Sequence, residues 1–403
     1  MLLAMYFVMK ANPGGQIDSA DIIGRDAVIT ELWERLAQQS IVLTAERRMG
    51  KTTIIKQMVK EHGLEVFPVY RDLEKVVSPA EFVSNVLTDI SNYQKGIKWV
   101  EGLFEKFTKN FAGWQIGNII KIPESSTDRW KEILENAIEY VMKHPLFVDD
   151  WEDRQKGKQI IFFWDELPMM LDNFLKREHG ALIAMEVLDT LRALRQTYPE
   201  LRMVYTGSIG LHHVISKLKD AGYNNAPTND MYTHDLQPLN SSDAIDLATR
   251  LLEGENVAIT DRSAIATEIS QQVDRIPFYI HHSILKLKNL RQQIAPNLVK
   301  EQIDLVLCDP NPWDMNHYQE RIKNYYRDGS NEIALIILDT LAVSTIGLNL
   351  EQIRDRNLAI QDLELLRTVL KLLRQDGYLV MNIDRTYSFR YGLIQRYWQY
   401  QRG

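Results

Sequence analysis

The sequence predicts an α/β fold in which a parallel sheet with crossover helices is followed by helical regions and a C-terminal β-hairpin. Two observations support this fold class. From about residue 23 to residue 236, short β-branched and aromatic runs alternate with helical stretches, which is typical of a parallel sheet. After Gly377 the helical period gives way to two strand-like runs around the turn Asp384-Arg385.

Five apolar runs are predicted to form the core strands, and some of them, such as IIFFW, are continuously apolar. This pattern favours strands that are covered on both faces. The five runs are Ser40–Ala45, Val66–Asp72, Ile160–Trp164, Leu201–Thr206 and Met231–Leu236.

A long insertion, about residues 78–158, separates the second and third strands. Three of its segments carry apolar residues at helical spacing: Ala80–Tyr93, Lys98–Phe111 and Asp128–His144. We expect these helices to form a subdomain that covers the core. A surface for a partner is the alternative.

We expect three domains: a core over 1–236, a helical region over 237–311 and a winged helix over 312–403. Asn240 to Asp243 supply capping residues for a helix at the start of the second domain. The segment DPNPWD, Asp309–Asp314, marks the next boundary, because two prolines interrupt a helix. The C-terminal order of helices followed by a hairpin predicts the winged helix.

Length, charge and cysteine content exclude several classes of protein. The 403 residues fit two or three domains. With 47 Lys and Arg against 54 Asp and Glu, the net charge of −7 argues against indiscriminate coating of nucleic acid. The single Cys308 excludes an internal disulfide and a cysteine-cluster zinc site, so we expect a cytoplasmic protein. No apolar run approaches the roughly 20 residues of a membrane span. The apolar N-terminal nine residues are expected to be a buried strand or helix, or a few residues upstream of the true start.

The strongest motif is SIVLTAERRMGKTT, residues Ser40–Thr53, in which a strand leads into a helix through a short loop. Backbone N–H groups at a helix N-terminus bind phosphate, and Gly50 lets the backbone approach closely. Lys51 can reach the β- and γ-phosphates of ATP, and the Thr52 hydroxyl can ligate Mg²⁺. The residues predicted to bind ATP or ADP here are Ala45, Glu46, Arg47, Arg48, Met49, Gly50, Lys51, Thr52 and Thr53.

One position departs from the usual phosphate-loop pattern, which begins with glycine. Ala45 stands there, and its methyl group limits left-handed backbone conformations. A module that holds nucleotide structurally, without turnover, therefore stays open as an alternative.

Two further strands end in polar residues that suit nucleotide hydrolysis. In IIFFWDE, Asp165 at the end of the strand can hold Mg²⁺, and Glu166 can act as the general base for water. In LRMVYTGS, Thr206 or Ser208 could sense the γ-phosphate or the attacking water. We therefore expect Lys51, Glu166 and Ser208 to be catalytic and Thr52 and Asp165 to bind the metal. Capping of the following helix or turn is the alternative for each polar pair.

Five segments in order resemble the AAA+ and STAND-like P-loop ATPases of the archaeal-type group, over about residues 23 to 290. They are AERRMGKTT, FFWDELPMML, YTGSIGLHH, LQPLNSSDAIDLATRLL and DRIPFYIHH. The resemblance implies an entry motif near the adenine that includes Arg25, and a lid motif in which Pro277 lies against the nucleotide. The glycine of that lid motif is Arg275 here, and its role as a phosphate sensor or a surface charge stays open.

The resemblance also implies a function: an Mg²⁺-dependent ATPase switch whose helical lid and winged helix respond to the nucleotide. Arg47 and Arg48 belong to the group's Arg-Arg variant of the loop. An arginine finger is common in such ATPases; surface charge is favoured for each of the three candidates, Arg192, Arg195 and Arg202. The adjacent pairs His212-His213 and His281-His282 lack the i, i+4 spacing of a zinc site, so structural roles are expected.

The expected partners are ATP and either another protein or a second copy of the chain, with no membrane. From Arg385 to Gly403 there are four arginines and no acidic residue, interleaved with aromatic residues that could stack on bases. DNA binding through the winged helix, as in replication initiators or transposition regulators, is therefore the alternative. We favour a latch or protein contact, as in the STAND relatives.

Overall fold

In a computed structural model of the chain, two compact units are present. The structure describes residues 9–15, 17–18, 21–93, 115–116, 120–122, 124–143, 159–327, 329–357 and 361–403. One unit, the sheet unit, comprises Ala27–Thr44 and Lys51–Leu236. The other, the helical unit, comprises Met1–Asp26, Ala45–Gly50 and Gln237–Gly403. The division into three domains stays a prediction, and the first eight residues of the apolar N-terminus lie outside the described residues.

The sheet unit is built on a five-stranded parallel sheet with the order β2-β5-β6-β1-β7. A separate short antiparallel pair, β3 and β4, lies in the insertion. The strands are β1 (Ile41–Thr44), β2 (Val66–Asp72), β3 (Gln115–Ile116), β4 (Ile120–Lys121), β5 (Gln159–Asp165), β6 (Leu201–Thr206) and β7 (Tyr232–Asp235). The predicted α/β fold and all five predicted core strands are confirmed.

Helices cover both faces of this sheet, which is why β5 reads as an uninterrupted apolar run. Its residues Ile160 to Trp164 are all buried. The helices are α1 (Asp26–Leu36), α2 (Lys51–Lys60), α3 (Pro79–Tyr93), α4 (Trp130–Met142), α5 (Leu167–Leu175), α6 (Gly180–Thr197) and α7 (Leu211–Asp220).

The described part of the insertion packs on the core, as expected. A short 3-10 helix, Glu124–Arg129, precedes α4. Val86 of α3 and Ile138 of α4 belong to the same buried apolar cluster as Phe162 of β5. The predicted helix Lys98–Phe111 lies outside the described residues.

The helical unit contains nine helices and one β-hairpin within the described residues. The side chain of Asn240 accepts a hydrogen bond from the Asp243 N–H at 2.9 Å, which confirms the predicted N-cap of the first helix. The elements are α8 (Ser241–Gly254), α9 (Arg262–Gln272), α10 (Pro277–Asn289), α11 (Pro296–Leu307), α12 (His317–Tyr325), α13 (Ser330–Ala342), α14 (Leu350–Asp355), α15 (Leu363–Gln375), β8 (Leu379–Met381), β9 (Tyr387–Phe389) and α16 (Gly392–Arg402).

The C-terminal part of the helical unit has the order helix, helix, helix, hairpin, helix. Strands β8 and β9 are antiparallel around the predicted turn Asp384-Arg385, and Leu348 adds a bridge to Tyr387. Strongly buried apolar residues such as Leu366 and Trp398 form its interior. This order agrees with the winged-helix pattern, whose assignment stays a prediction. No helix among the described residues is long and apolar enough to span a membrane.

Candidate nucleotide-binding site

The sheet unit brings together the two predicted metal ligands. Thr52 lies in the first turn of α2, and Asp165 is the last residue of β5. The Thr52 hydroxyl donates a hydrogen bond to Asp165 Oδ2 at 2.6 Å. The two residues meet because β1, which leads to α2, and β5 are parallel, so their carboxyl ends share one edge of the sheet.

The electrostatics of Asp165 suit a cation. Its carboxylate is 3% exposed, and burial raises its pKa, while the hydrogen bond from Thr52 lowers it. Asp72, its register partner on β2, raises the pKa of Asp165 further, and Lys51 lowers it. Hydroxyl and carboxylate oxygens are the ligands that Mg²⁺ prefers, so the pair Thr52 and Asp165 fits this ion.

Glu166, the predicted general base, is held by Ser208, the predicted sensor. Its backbone is left-handed, with φ of 56°, and it stands at the N-cap of α5. The Ser208 N–H donates to both carboxylate oxygens of Glu166, at 2.9 and 2.8 Å, and the Ser208 hydroxyl donates to Oε2 at 2.9 Å. Burial raises the pKa of Glu166 and the Ser208 hydrogen bonds lower it.

Gly207 permits this arrangement. A Cβ atom at that position would stand 2.8 Å from Pro168 Cδ and 3.3 Å from Glu166 Oε2. A side chain would therefore collide with the start of α5 and crowd the carboxylate. The Thr-Gly-Ser sequence after β6 thus brings Ser208 against Glu166.

Thr206, the other sensor candidate, has a different environment. It ends β6, is 2% exposed, and its hydroxyl is without a hydrogen-bond partner among the described residues. A buried hydroxyl in that state costs free energy, so the position is one at which a ligand oxygen would be stabilising. Of the two candidates, Ser208 is the one that hydrogen-bonds Glu166 in the described part of the chain.

Tyr70 on β2 was not predicted to belong to this group. Burial raises the pKa of its hydroxyl, and the nearby charges of Asp165 and Asp72 raise that pKa further. Lys56 of α2 lies over the Tyr70 ring, 5.4 Å from its centroid. The sequence pattern of β2 marked a buried strand, but only the sheet order shows that β2 lies next to β5.

In the helical unit, the loop of residues 45–50 is fixed by long-range contacts. Glu46 pairs with Arg321 of α12 at 3.2 Å. Arg48, with φ of 71°, forms an ion pair with Asp314 and lies over the ring of Phe278, 4.4 Å from its centroid. The buried Met49 accepts a hydrogen bond on its backbone oxygen from Arg25 at 2.9 Å.

Arg25, predicted from the entry motif, contacts the loop directly. Its guanidinium also donates to the Gln237 backbone oxygen at 2.9 Å, and burial lowers its pKa to about 10. Pro277, the predicted lid residue, is the first residue of α10, where its missing N–H costs nothing. Arg275 has φ of 60°, and its backbone oxygen accepts from the Leu239 N–H at 3.2 Å.

The fold of the chain is similar to that of solved ATPase structures. A Walker-type ATPase of Pyrococcus abyssi superposes with a TM-score of 0.64 at 15% identity, over 97% of this chain and all of the other. The chain has the fold of a P-loop ATPase. The ORC2 protein of Aeropyrum pernix, determined in ADPNP and ADP complexes, superposes with a TM-score of 0.51 at 14% identity, over 94% of this chain and 93% of the other. No family model matches the sequence, and no curated protein matches it either.

This P-loop ATPase fold confirms the predicted resemblance at the level of architecture, but one arginine prediction was wrong. Arg195 is not a surface charge, because its side chain is 3% exposed. It donates two hydrogen bonds of 2.9 Å to Asp230 and one of 2.6 Å to the Tyr205 hydroxyl. A charged residue is buried here because every face of the guanidinium meets an acceptor. Arg192 donates to the Ala226 backbone oxygen and Arg202 to that of Leu36.

The second histidine pair, His281-His282, has packing and hydrogen-bond contacts. His281 is buried, and its Nδ1 accepts a hydrogen bond from the Asn12 N–H at 3.1 Å. His282 packs against the rings of Phe278 and Trp313, with centroids 4.5 and 5.6 Å away. Burial lowers the pKa of both histidines to about 4. These contacts agree with the structural roles expected for this pair, and the roles of both histidine pairs stay predictions.

The basic C-terminal segment is engaged within the helical unit. Arg390 donates to Gln237, Arg396 to Asp304 at 2.6 Å, and Arg402 to Asp339 at 2.8 Å. The aromatic residues Tyr397 and Trp398 are fully buried. These side chains are committed to internal contacts and cannot stack on bases, whereas Arg385 and Tyr400 of the same segment are exposed, so DNA binding stays a prediction.

Proposed function

We propose that the chain binds ATP with Mg²⁺ and hydrolyses it to ADP and phosphate, and that it acts as a molecular switch. The observation that carries the proposal is the hydrogen bond from Thr52 to Asp165. It joins the residue after the phosphate-loop lysine to the carboxylate at the end of a buried strand, as a P-loop ATPase site requires. The P-loop ATPase fold supports the same conclusion.

Each residue of the site has a role in this proposal. Lys51, at the start of α2, neutralises charge on the β- and γ-phosphates. The positive end of the helix dipole at the N-terminus of α2 stabilises the same negative charge. Thr52 and Asp165 would hold Mg²⁺, which supplies charge neutralisation to the phosphates.

Glu166 accepts the proton of the attacking water, and the Ser208 hydrogen bonds favour the ionised form of its carboxylate and orient it. Thr206 offers its buried hydroxyl to a ligand oxygen. These roles assign proton transfer to one carboxylate and metal binding to the other.

The switch role is supported by contacts within the helical unit. Loop residues Arg48 and Met49 are held by Asp314 and Arg25. A change in the loop on nucleotide binding or release would therefore be transmitted to helices of this unit, and from them to a partner. Protein contact or self-association is favoured over DNA, because three of the four arginines of the C-terminal segment have internal partners.

The test is the rate of ATP hydrolysis in the Glu166→Gln variant. We expect turnover to fall by about 10²-fold or more while ATP affinity is retained, since glutamine cannot accept the proton. Glu186→Gln, at an exposed position on α6, is the matched control and should turn over at the wild-type rate. Equal turnover in Glu166→Gln would remove Glu166 as the base. A wild-type protein that binds ATP and never hydrolyses it would favour the structural nucleotide module.

A further inference from the structure

A buried carboxylate lies in the very loop that is proposed to bind phosphates. Glu46 has a side chain that is 0% exposed, and its Oε1 accepts a hydrogen bond from the Arg47 N–H at 2.7 Å. A negative charge at this place opposes the binding of a polyanion. The loop therefore needs a fixed positive charge to compensate Glu46.

Arg321 of α12 supplies that charge. Its guanidinium is 10% exposed and lies 3.2 Å from Glu46 Oε1. It also donates to the Asp376 backbone oxygen at 3.0 Å and lies over the Tyr378 ring, 5.8 Å from the centroid. A buried ion is tolerated only when it is paired and hydrogen-bonded, and both conditions hold here.

The turn after α15 is shaped to receive this pair. Gly377 has φ of 80°, and a Cβ atom there would stand 2.8 Å from Glu46 Oε2. The Tyr326 hydroxyl donates to Asp376 Oδ2 at 2.6 Å, and the Tyr378 hydroxyl donates to the Tyr318 backbone oxygen at 2.6 Å. The Asp376 backbone oxygen, which accepts from Arg321, thus lies in a segment that these two hydrogen bonds hold in place.

We propose that Arg321 is a positioning residue for phosphate binding: it neutralises Glu46 and holds loop 45–50 in the conformation that receives the phosphates of ATP. The inference rests on the proposed function, because it takes this loop as the phosphate site. It goes further by making nucleotide affinity depend on a residue 275 positions after Glu46, on α12. It also explains how a phosphate loop can contain a buried glutamate.

The charges of the pair predict opposite effects on ATP affinity. Calorimetric titration of the full chain with Mg·ATP should show binding weakened about tenfold in Arg321→Met, because Glu46 then repels the phosphates. Glu46→Gln should bind Mg·ATP more tightly than the wild type, because the charge of Arg321 then acts on the phosphates alone. The double variant should return to within about threefold of the wild type. Adenosine, which carries no phosphate, should bind all four proteins alike.

A merely structural role predicts a different pattern, in which both single variants weaken ATP and adenosine together. That pattern, or a double variant no better than Arg321→Met, would overturn the proposal. Arg402→Met, which removes a guanidinium paired with Asp339 in the same unit, is the matched control and should leave ATP affinity unchanged.

Two other variants still test the proposal if Arg321→Met does not fold. Arg321→Lys retains the charge and should keep ATP affinity within about threefold of the wild type, whereas a loss of tenfold would contradict a role in charge compensation. Glu46→Gln alone still tests whether removal of the negative charge of Glu46 strengthens the binding of Mg·ATP. A wild-type chain that binds neither ATP nor ADP would refute the proposed function itself, which is a distinct outcome from wild-type binding with unaltered variants.

Discussion

Replacing Ser208 by alanine should raise the pKa of Glu166. The acid limb of the pH–rate profile, where ATP hydrolysis is lost on acidification, should therefore move to higher pH. The Ser208 hydroxyl donates a 2.9 Å hydrogen bond to the carboxylate, and that bond stabilises the ionised form. A hydrogen bond to a charged group contributes about 1.5–3 kcal/mol, and 1.36 kcal/mol corresponds to about one pKa unit. The Ser208 N–H still donates after the substitution. Because water can replace part of the lost bond, we expect a shift of about one pH unit.

The assay is steady-state phosphate release from saturating Mg·ATP, measured from about pH 5 to about pH 9. A base must be ionised to accept a proton, so a higher pKa of Glu166 means that activity is lost at a higher pH on acidification. Ser208→Thr keeps the hydroxyl and is the control, with a limb at the wild-type position. An unchanged limb in Ser208→Ala, or one displaced to lower pH, would refute the assignment of Glu166 as the base held by Ser208.

Three further predictions concern stability and are tested by denaturant unfolding. Arg195→Met should lower the free energy of unfolding by about 3 kcal/mol, because Asp230 loses its buried partner; a change below about 1 kcal/mol would contradict this. Asp274→Ala should cost about 1 kcal/mol, because Asp274 accepts the Leu393 N–H at 2.6 Å at the start of α16, and unchanged stability would exclude that cap. Burial lowers the pKa of His281 from 6.5 to about 4, so between these pH values the unfolded chain binds a proton that the folded chain does not. The wild type should therefore lose stability relative to His281→Asn as the pH falls through that range, and parallel pH profiles would refute this.

Much of the sheet could be predicted because its strands depend on local pattern. A strand covered on both faces needs an apolar residue at every position, and Ile160 to Trp164 show this directly. The placement of Thr52 and Asp165 at one edge of the sheet could also be anticipated, because the carboxyl ends of parallel strands share that edge. The strands and this shared edge need no knowledge of strand order, whereas the direct contact of Thr52 with Asp165 depends on it.

The parts that could not be predicted depend on contacts between residues far apart in the chain. Tyr70 lies near Asp165 only because β2 lies beside β5, and sheet order is not encoded in periodicity. The contact of Glu46 with Arg321 spans 275 positions, with no pattern to link the two residues. Arg195 was expected at the surface because charged residues usually lie there, and only its acceptors explain its burial.

The central claim, that the loop before α2 binds the phosphates of ATP, is tested most directly by the dissociation constant of Mg·ATP in Lys51→Ala. The account predicts saturable binding in the wild-type protein and none measurable in the variant, because the β- and γ-phosphates lose their charge partner. Lys60→Ala, at the end of the same helix, should bind as the wild type does. Unchanged ATP affinity in Lys51→Ala would contradict the account.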